Sequence, residues 1–510
     1  MALLRLSTCL WCWALFATPL HVHAADDFIS LSYHEVESDD APQLARTAIR
    51  VSDLAAQFAW LHANGYQPVS VQQILDARAG GVALPVKAVL LTFDDGKRDV
   101  HTRVLPLLRL LRYPAVVALV GSWLEVAPGG TVDYDGVPRS RGEFLSWAEV
   151  RDLQRSGLVE IASHSYDLHR GVPANPQGST QPAATTRIRA PGGYESDDAY
   201  LARLRDDLRR NRDLIVQHTG RAPRVMVWPY GRSNLAAQQV AVELGMPVGL
   251  SLEDGVNTPD VPTMSLRRQL IDGNPSLQDF ADLVRQRWLP NPWRSVRIEP
   301  VLWSNPAQQL SAALDQVLRW STNISFVDVR GLAAGQERSP FTESLNYVAW
   351  QLERRAGSSV FIEVPANWLR EPDLLADLAR HVNFAGLRLA TVPGDPVVAH
   401  VLAAVERWRQ PVRLAFAPGG APGPDDWRRL RAQDLVVLPA LREMVESVPE
   451  FARHQALFEF PAAPGDAKRV GREMRRLEAA GNRNFGLGYL PAGADVVWPA
   501  LSLRTARQLP

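Results

Sequence analysis

The chain has 510 residues, more than one compact core of ordinary size accommodates, so two domains are expected. Hydrophobic residues make up 46% and charged residues 22%, which excludes an intrinsically disordered chain. The 55 basic and 55 acidic residues cancel, so no electrostatic ground exists for nucleic acid or an anionic membrane as partner, and a neutral ligand is favoured.

At the N-terminus, Met1–Arg5 carries one positive charge and Leu6–Leu20 is apolar, the length of a leader core and too short to span a bilayer. Val22-His23-Ala24 has the small-x-small form of a cleavage site. Residues 1–24 are therefore predicted to be a signal peptide that exports the chain. Cys9 and Cys12, the only cysteines, lie inside it, so the mature chain has no thiol to serve as nucleophile, ligand or disulfide partner. No later apolar run is long enough for a membrane helix, and the mature chain is predicted not to span a membrane.

Downstream, short apolar runs alternate with helical patterns. Strands are predicted at Phe28–Tyr33, Ala88–Phe93, Ala115–Val120, Val159–Ala162 and Val225–Val227. Helices are predicted at Val51–Asn64, Val100–Leu111, Trp147–Ser156, Ser196–His218 and Leu235–Leu244. The alternation predicts a parallel α/β sheet or barrel. Residues 171–197, rich in Pro, Gly, Asn, Thr and Ala, read as a long surface loop. Pro290 and Pro292 interrupt the pattern and set a domain boundary at 292/293. About seven further strands, between Ile324 and Leu490, fall within ~200 residues and predict a second (β/α) barrel.

Four strand ends carry candidate chemistry. Thr92-Phe93-Asp94-Asp95-Gly96 places two carboxylates at the C-terminal end of a buried strand, where (β/α) barrels keep active sites. His164 and His169, five residues apart after Val159–Ala162, converge if the chain leaves the strand in a loop. Asp95, His164 and His169 would then form a three-ligand set with an open position, suited to zinc or a neighbouring divalent ion. After Val225–Val227, Trp228-Pro229-Tyr230-Gly231 forms a turn whose Tyr230 amide can point at a developing oxyanion. Ser32-Tyr33-His34-Glu35 ends the first strand. Each piece alone also has a bland reading as a turn or a surface histidine; their co-occurrence carries the argument.

Together, TFDDG, the His164/His169 pair and WPYG resemble the motifs of the polysaccharide deacetylases, the family 4 carbohydrate esterases. YHEV, SHSYDLHRGVPANPQG and VWPYG are similar to the branch acting on poly-β-1,6-N-acetylglucosamine in bacterial biofilm export, which has the five-residue histidine step and a C-terminal glycosidase-like barrel. The resemblance implies a deformed (β/α) barrel over residues 25–292 and a second, reduced (β/α) barrel over 293–510. It implies Asp95, His164 and His169 as ligands of a divalent metal ion, zinc first, with nickel, cobalt or iron as alternatives. Asp94 would be the general base, His34 the general acid, and Trp228, Pro229 and Tyr230 the substrate and oxyanion turn. The implied partners are the polymer and an outer-membrane export pore. Other acetylated polysaccharides such as chitin or peptidoglycan, and a non-catalytic binding role, stand as alternatives.

Two departures from the family pattern matter. An arginine usually precedes the Pro-Tyr-Gly turn and positions the base; here Val227 takes that place, leaving Arg267 or Arg268 to orient Asp94. In the second barrel, Phe341–Pro365 and Asn383–Leu389 resemble the relatives. Ala390-Thr391-Val392-Pro393 then replaces an expected aspartate pair, and Val301–Asn305 lacks the aspartates expected at the entry strand. Asp328, Glu363 and Glu459 are the remaining carboxylates near strand ends. Glycoside cleavage ordinarily needs two carboxyl groups across the bond, so this barrel is predicted not to hydrolyse polymer.

Overall fold

The computed structural model describes residues 26–286, 292–298, 322–329, 338–460 and 467–489, with a few helical positions between 310 and 318. The leader, with Cys9 and Cys12, and the segment Val301–Asn305 lie outside the described residues.

The N-terminal part is built on a parallel sheet. Its strand order is Val248–Leu250, Val225–Val227, Val159–Ser163, Ala115–Leu119, Ala88–Phe93, Phe28–Tyr33, Gln269–Leu270, with Gln67–Pro68 also pairing Ala88–Phe93. Phe28–Tyr33 and Ala88–Phe93 are buried along their whole length, as expected of strands covered on both faces. A parallel bridge between Leu250 and Leu266, with the Leu266 amide donating to Gly249 O, the Ser251 amide to Leu266 O and the Arg268 amide to Glu253 O, draws the two edges together, so the sheet curls into a deformed barrel. Helix starts follow local chemistry: Ser70 with Gln73 and Ser146 with Glu149 form capping boxes, and Gly220, at φ 71°, ends the Asp197–Thr219 helix. The single helix predicted over Val100–Leu111 opens instead with a wide π turn, Val100–Val104, before Leu105–Leu111; Pro106 has no amide to donate to a preceding turn.

The second part is a closed barrel of eight parallel strands: Arg294–Ile298, Ile324–Asp328, Ser359–Glu363, Gly386–Leu389, Arg413–Phe416, Leu435–Pro439, Ala456–Phe460 and Asn484–Tyr489. Its first strand, Arg294–Ile298, has only Val296 and Ile298 as apolar residues among two arginines and a serine, so its periodicity is weak in the sequence.

Residues 171–197 are an ordered clasp between the two parts rather than a free surface loop. They form two small hairpins, Gly171–Pro173 with Thr180–Pro182 and Arg189–Ala190 with Gly193–Tyr194. The buried Asn346 Oδ1 of the Arg338–Ala356 helix accepts from Asn175 Nδ2 at 2.7 Å and Gln181 Nε2 at 2.8 Å. One apolar cluster runs unbroken from Val172, Tyr200 and Trp228 to Leu345 and Trp408. Asn346→Ala is therefore expected to destabilise the protein by roughly 1–3 kcal/mol for each buried donor it strands. Urea unfolding of wild type and variant measures this.

Candidate active site

The candidate groups of the first barrel stand at the C-terminal ends of sheet strands, except His169, which lies in the loop that leaves Val159–Ser163. His34 follows Phe28–Tyr33, Asp94 and Asp95 follow Ala88–Phe93, His164 follows Val159–Ser163, and the Trp228–Gly231 turn follows Val225–Val227. The backbone ties these ends together: the Asp94 amide donates to Tyr33 O at 2.9 Å and the His164 amide to Leu119 O at 2.9 Å. Asp95, Ser165 and Tyr230 adopt left-handed backbone at φ 71°, 71° and 57°. Such conformations are costly for residues bearing a side chain and concentrate at functional sites.

Asp95, His164 and His169 converge, with one donor atom from each lying within 4.8 Å of the others. Asp95 Oδ1 is 3.4 Å from His164 Nε2 and 3.4 Å from His169 Nε2, and has no hydrogen-bond partner of good geometry among the described residues. His164 Nδ1 sits 2.7 Å from Val227 O, which fixes the proton on Nδ1 and turns the Nε2 lone pair toward Asp95. A buried carboxylate oxygen left without a donor between two imidazole nitrogens fits a divalent cation. Burial pushes the Asp95 carboxyl up, but His164, His169 and His34 outweigh it and hold the group below the usual carboxylate range. The five-residue step between the histidines works because Asp207 caps the loop: its oxygens accept from the Tyr166 and Asp167 amides at 2.8 and 2.7 Å. Burial pushes that carboxyl up to about 6.

Asp94 has a different partner from the triad. Arg268, fully buried, donates through Nη1 to Asp94 Oδ1 at 2.8 Å, Asp94 Oδ2 at 2.9 Å and Thr92 Oγ1 at 3.0 Å, and through Nε to Ser251 O at 2.8 Å. Of the two arginines left open by the sequence, Arg268 therefore orients Asp94, while Arg267 donates to Val256 O. Burial raises the Asp94 carboxyl, and Arg268, His164 and His34 more than reverse this, so it stays ionised. His34 Nε2 lies 3.8 Å from Asp94 Oδ2; burial lowers its pKa, partly offset by Asp95 and Asp94.

The turn divides its work. Trp228 is fully buried and seats the turn in the core, Pro229 is buried, and Tyr230 alone reaches the mouth. Gly231, at φ 67°, lies so close to Leu252 that a Cβ would stand 2.5 Å from its backbone nitrogen, so no other residue fits there without displacement.

Two groups outside the strand-end motifs complete the site. The hairpin Thr131–Tyr134/Val137–Ser140 turns at Asp135 and Gly136, at φ 54° and 80°. It delivers the Tyr134 hydroxyl as donor to Asp95 Oδ2 and sets Asp135 Oδ1 against the Tyr230 hydroxyl, 3.7 Å from His169 Nδ1. Lys97 Nζ lies 4.0 Å over the Tyr134 ring and 3.0 Å from Glu35 in a buried ion pair. Asp-Gly between short β-prone runs is a hairpin signal, and it is the feature of the sequence that locates both residues. Tyr134→Phe is expected to weaken metal binding by about 10–100-fold, the usual cost of removing a group that orients a ligand. Competition with a chromogenic chelator reads it.

In the second barrel, two arginines meet the candidate carboxylates. Arg297 Nη2 is 3.1 Å from Asp328 Oδ2, and its Nε 3.0 Å from Glu363 Oε2. Arg388 makes a bidentate pair with Glu459 at 2.8 and 3.0 Å.

A parallel barrel with two carboxylates, two histidines and a Pro-Tyr-Gly turn at one mouth is the arrangement of a hydrolase site, and three of its side chains, Asp95, His164 and His169, are placed so that they could hold a metal ion. The polysaccharide deacetylase family profile matches residues 81–249, and the chain belongs to that family. It is 34% identical over 367 residues to the poly-β-1,6-N-acetyl-D-glucosamine N-deacetylase of Escherichia coli K12, covering 68% of this chain and 54% of that protein; the chain thus spans about half the length of that curated relative. Among solved structures, the de-N-acetylase of Aggregatibacter actinomycetemcomitans is 38% identical, covering 51% of this chain and 100% of that one, with a TM-score of 0.48. The BpsB deacetylase domain of Bordetella bronchiseptica is 43% identical, covering 48% and 96%, with a TM-score of 0.44.

Proposed function

We propose that this protein is a metal-dependent N-deacetylase of poly-β-1,6-N-acetyl-D-glucosamine, acting in the periplasm during exopolysaccharide export. The carrying observation is the Asp95 oxygen set 3.4 Å from both histidine nitrogens, beside an Asp94 that Arg268 holds ionised. The names of the relatives favour this polymer over chitin or peptidoglycan. Among the described residues no helix is long and apolar enough to cross a membrane. The deacetylase domain is assigned to residues 25–292 and the second barrel to 293–510.

Asp95, His164 and His169 would hold the cation, which supplies Lewis acidity toward the acetamide carbonyl and acidifies water. The protein's own groups do the rest. Asp94, fixed by Arg268, accepts the proton of the attacking water. The Tyr230 amide faces the carbonyl oxygen as it gains negative charge. His34 delivers a proton to the departing glucosamine nitrogen as the C–N bond breaks, leaving acetate and a free amine. In the second barrel, Arg297 and Arg388 neutralise Asp328, Glu363 and Glu459, which supports a barrel that does not cleave glycosidic bonds.

Acetate release from a β-1,6-N-acetylglucosamine pentamer tests the reading. Release should require added zinc, cobalt or nickel and stop on chelation. No release from this or any other acetylated oligomer, by folded and metal-loaded protein, overturns it.

A further inference from the structure

Lys97 is a buried charge that the mechanism above does not use. It closely follows Asp95 in the chain, is 2% exposed, and sets its Nζ 3.0 Å from Glu35 Oε1. Glu35, also buried, directly follows His34. The same Nζ lies 4.0 Å from the centroid of the Tyr134 ring and 4.5 Å from that of Phe144, inside the ~6 Å reach of a cation on an aromatic face. Backbone pairing holds Phe144 beside Lys97, with the Leu145 amide donating to Gly96 O at 2.9 Å, so the ammonium is fixed against both rings. One charge thus joins the segment carrying Asp94 and Asp95, the segment carrying His34 and the hairpin carrying Tyr134.

Stability alone is a weak reason for this pair. A buried ion pair is often no better for folding than apolar side chains of the same volume, because both ions give up their water. A cation on the face of a tyrosine ring does something an apolar side chain cannot. Its field makes the hydroxyl hydrogen more acidic and the hydroxyl a stronger donor, and the low dielectric of a buried site enlarges the effect. The Tyr134 hydroxyl donates to Asp95 Oδ2, the carboxylate whose other oxygen lies between His164 and His169.

We infer that Lys97 is a positioning residue of the metal site: its ammonium, held by Glu35 against the Tyr134 ring, keeps the Tyr134 hydroxyl on Asp95 and so raises the affinity of Asp95, His164 and His169 for their cation. The inference rests on the deacetylase reading and deepens it. Lys97 acts through the Tyr134 hydroxyl, so removing it costs nothing further once that hydroxyl is gone.

The test is the zinc affinity of the full chain, read by competition with a chromogenic chelator. Lys97→Met alone strands a buried Glu35 carboxylate, so the main variant is Lys97→Met/Glu35→Gln, which removes both charges with little change of volume; circular dichroism checks its fold. It is expected to bind zinc about tenfold more weakly, the lower end of the ~10–100-fold cost of losing a group that orients a ligand. In a Tyr134→Phe background the same two substitutions are expected to change affinity by less than about twofold, since coupled groups do not add. Glu35→Gln alone keeps the cation on the ring and an oxygen to accept from it, and is expected to stay within about threefold of wild type. Wild-type affinity in Lys97→Met/Glu35→Gln overturns the inference. Losses that multiply in the Tyr134→Phe background overturn it too, because they mark Lys97 as a general tie of the fold, and so does a loss in Glu35→Gln equal to that of the double variant. A wild-type protein that binds zinc but releases no acetate counts against the deacetylase reading alone, since chelator competition needs no turnover.

Discussion

Asp94→Asn is expected to lower kcat by about 10²–10⁴-fold, the usual contribution of a positioned general base, while leaving metal affinity nearly unchanged. The two adjacent carboxylates are separated by their partners. Asp95 gives one oxygen to the Tyr134 hydroxyl and turns the other to His164 and His169. Asp94 gives both oxygens to Arg268 and touches neither Tyr134 nor the gap between the imidazoles. Asparagine keeps the shape of Asp94 and one acceptor for Arg268, but it cannot take a proton at neutral pH. Asp95→Asn should behave in the opposite way, losing metal first and activity as a consequence. Steady-state acetate release together with chelator competition separates the two. An Asp94→Asn protein retaining more than a tenth of wild-type kcat would remove Asp94 from the base role.

Ala88–Phe93 was legible because a strand buried on both faces reads as a near-continuous apolar run, and Phe28–Tyr33 because only two small serines interrupt its apolar residues. Two of the triad were legible because Asp95 and His164 stand just past a strand end, and His169 because it lies five residues on in the loop that leaves the second of these strands. Three features were legible in part or not at all. The choice between Arg267 and Arg268 stayed open, because Arg268 precedes a two-residue strand, Gln269–Leu270, too short to leave a periodic trace, and its bond to Asp94 spans 174 positions. Tyr134 and Asp135 arrive on a hairpin outside the sheet, marked only by Asp135-Gly136. Residues 171–197 have a loop's composition because small hairpins and a domain clasp need turns. Their order comes from contacts such as Asn175 and Gln181 to Asn346, which no local pattern announces.

Arg268→Met is expected to cost about 3–5 kcal/mol of stability, because it removes the charged partner of a fully buried carboxylate. Arg268 is 0% and Asp94 1% exposed, so water cannot replace the lost bonds. The effect should depend on pH with a defined sign. In wild type Asp94 is held below its unfolded pKa, so it adds stability above that value and loses it as pH falls through the folded one. Without Arg268, burial dominates and the carboxyl rises above its unfolded value. The variant's deficit should therefore be largest at neutral pH and shrink toward acid, where Asp94 takes a proton. The double variant Asp94→Asn/Arg268→Met should be more stable at neutral pH than Arg268→Met alone, since no buried charge is then left without a partner. Urea unfolding of the four proteins across pH reads the coupling directly. Additive losses, with no rescue in the double variant, would mean that Arg268 acts through Thr92 and Ser251 as a structural tie and that Asp94 owes its ionisation to the neighbouring histidines.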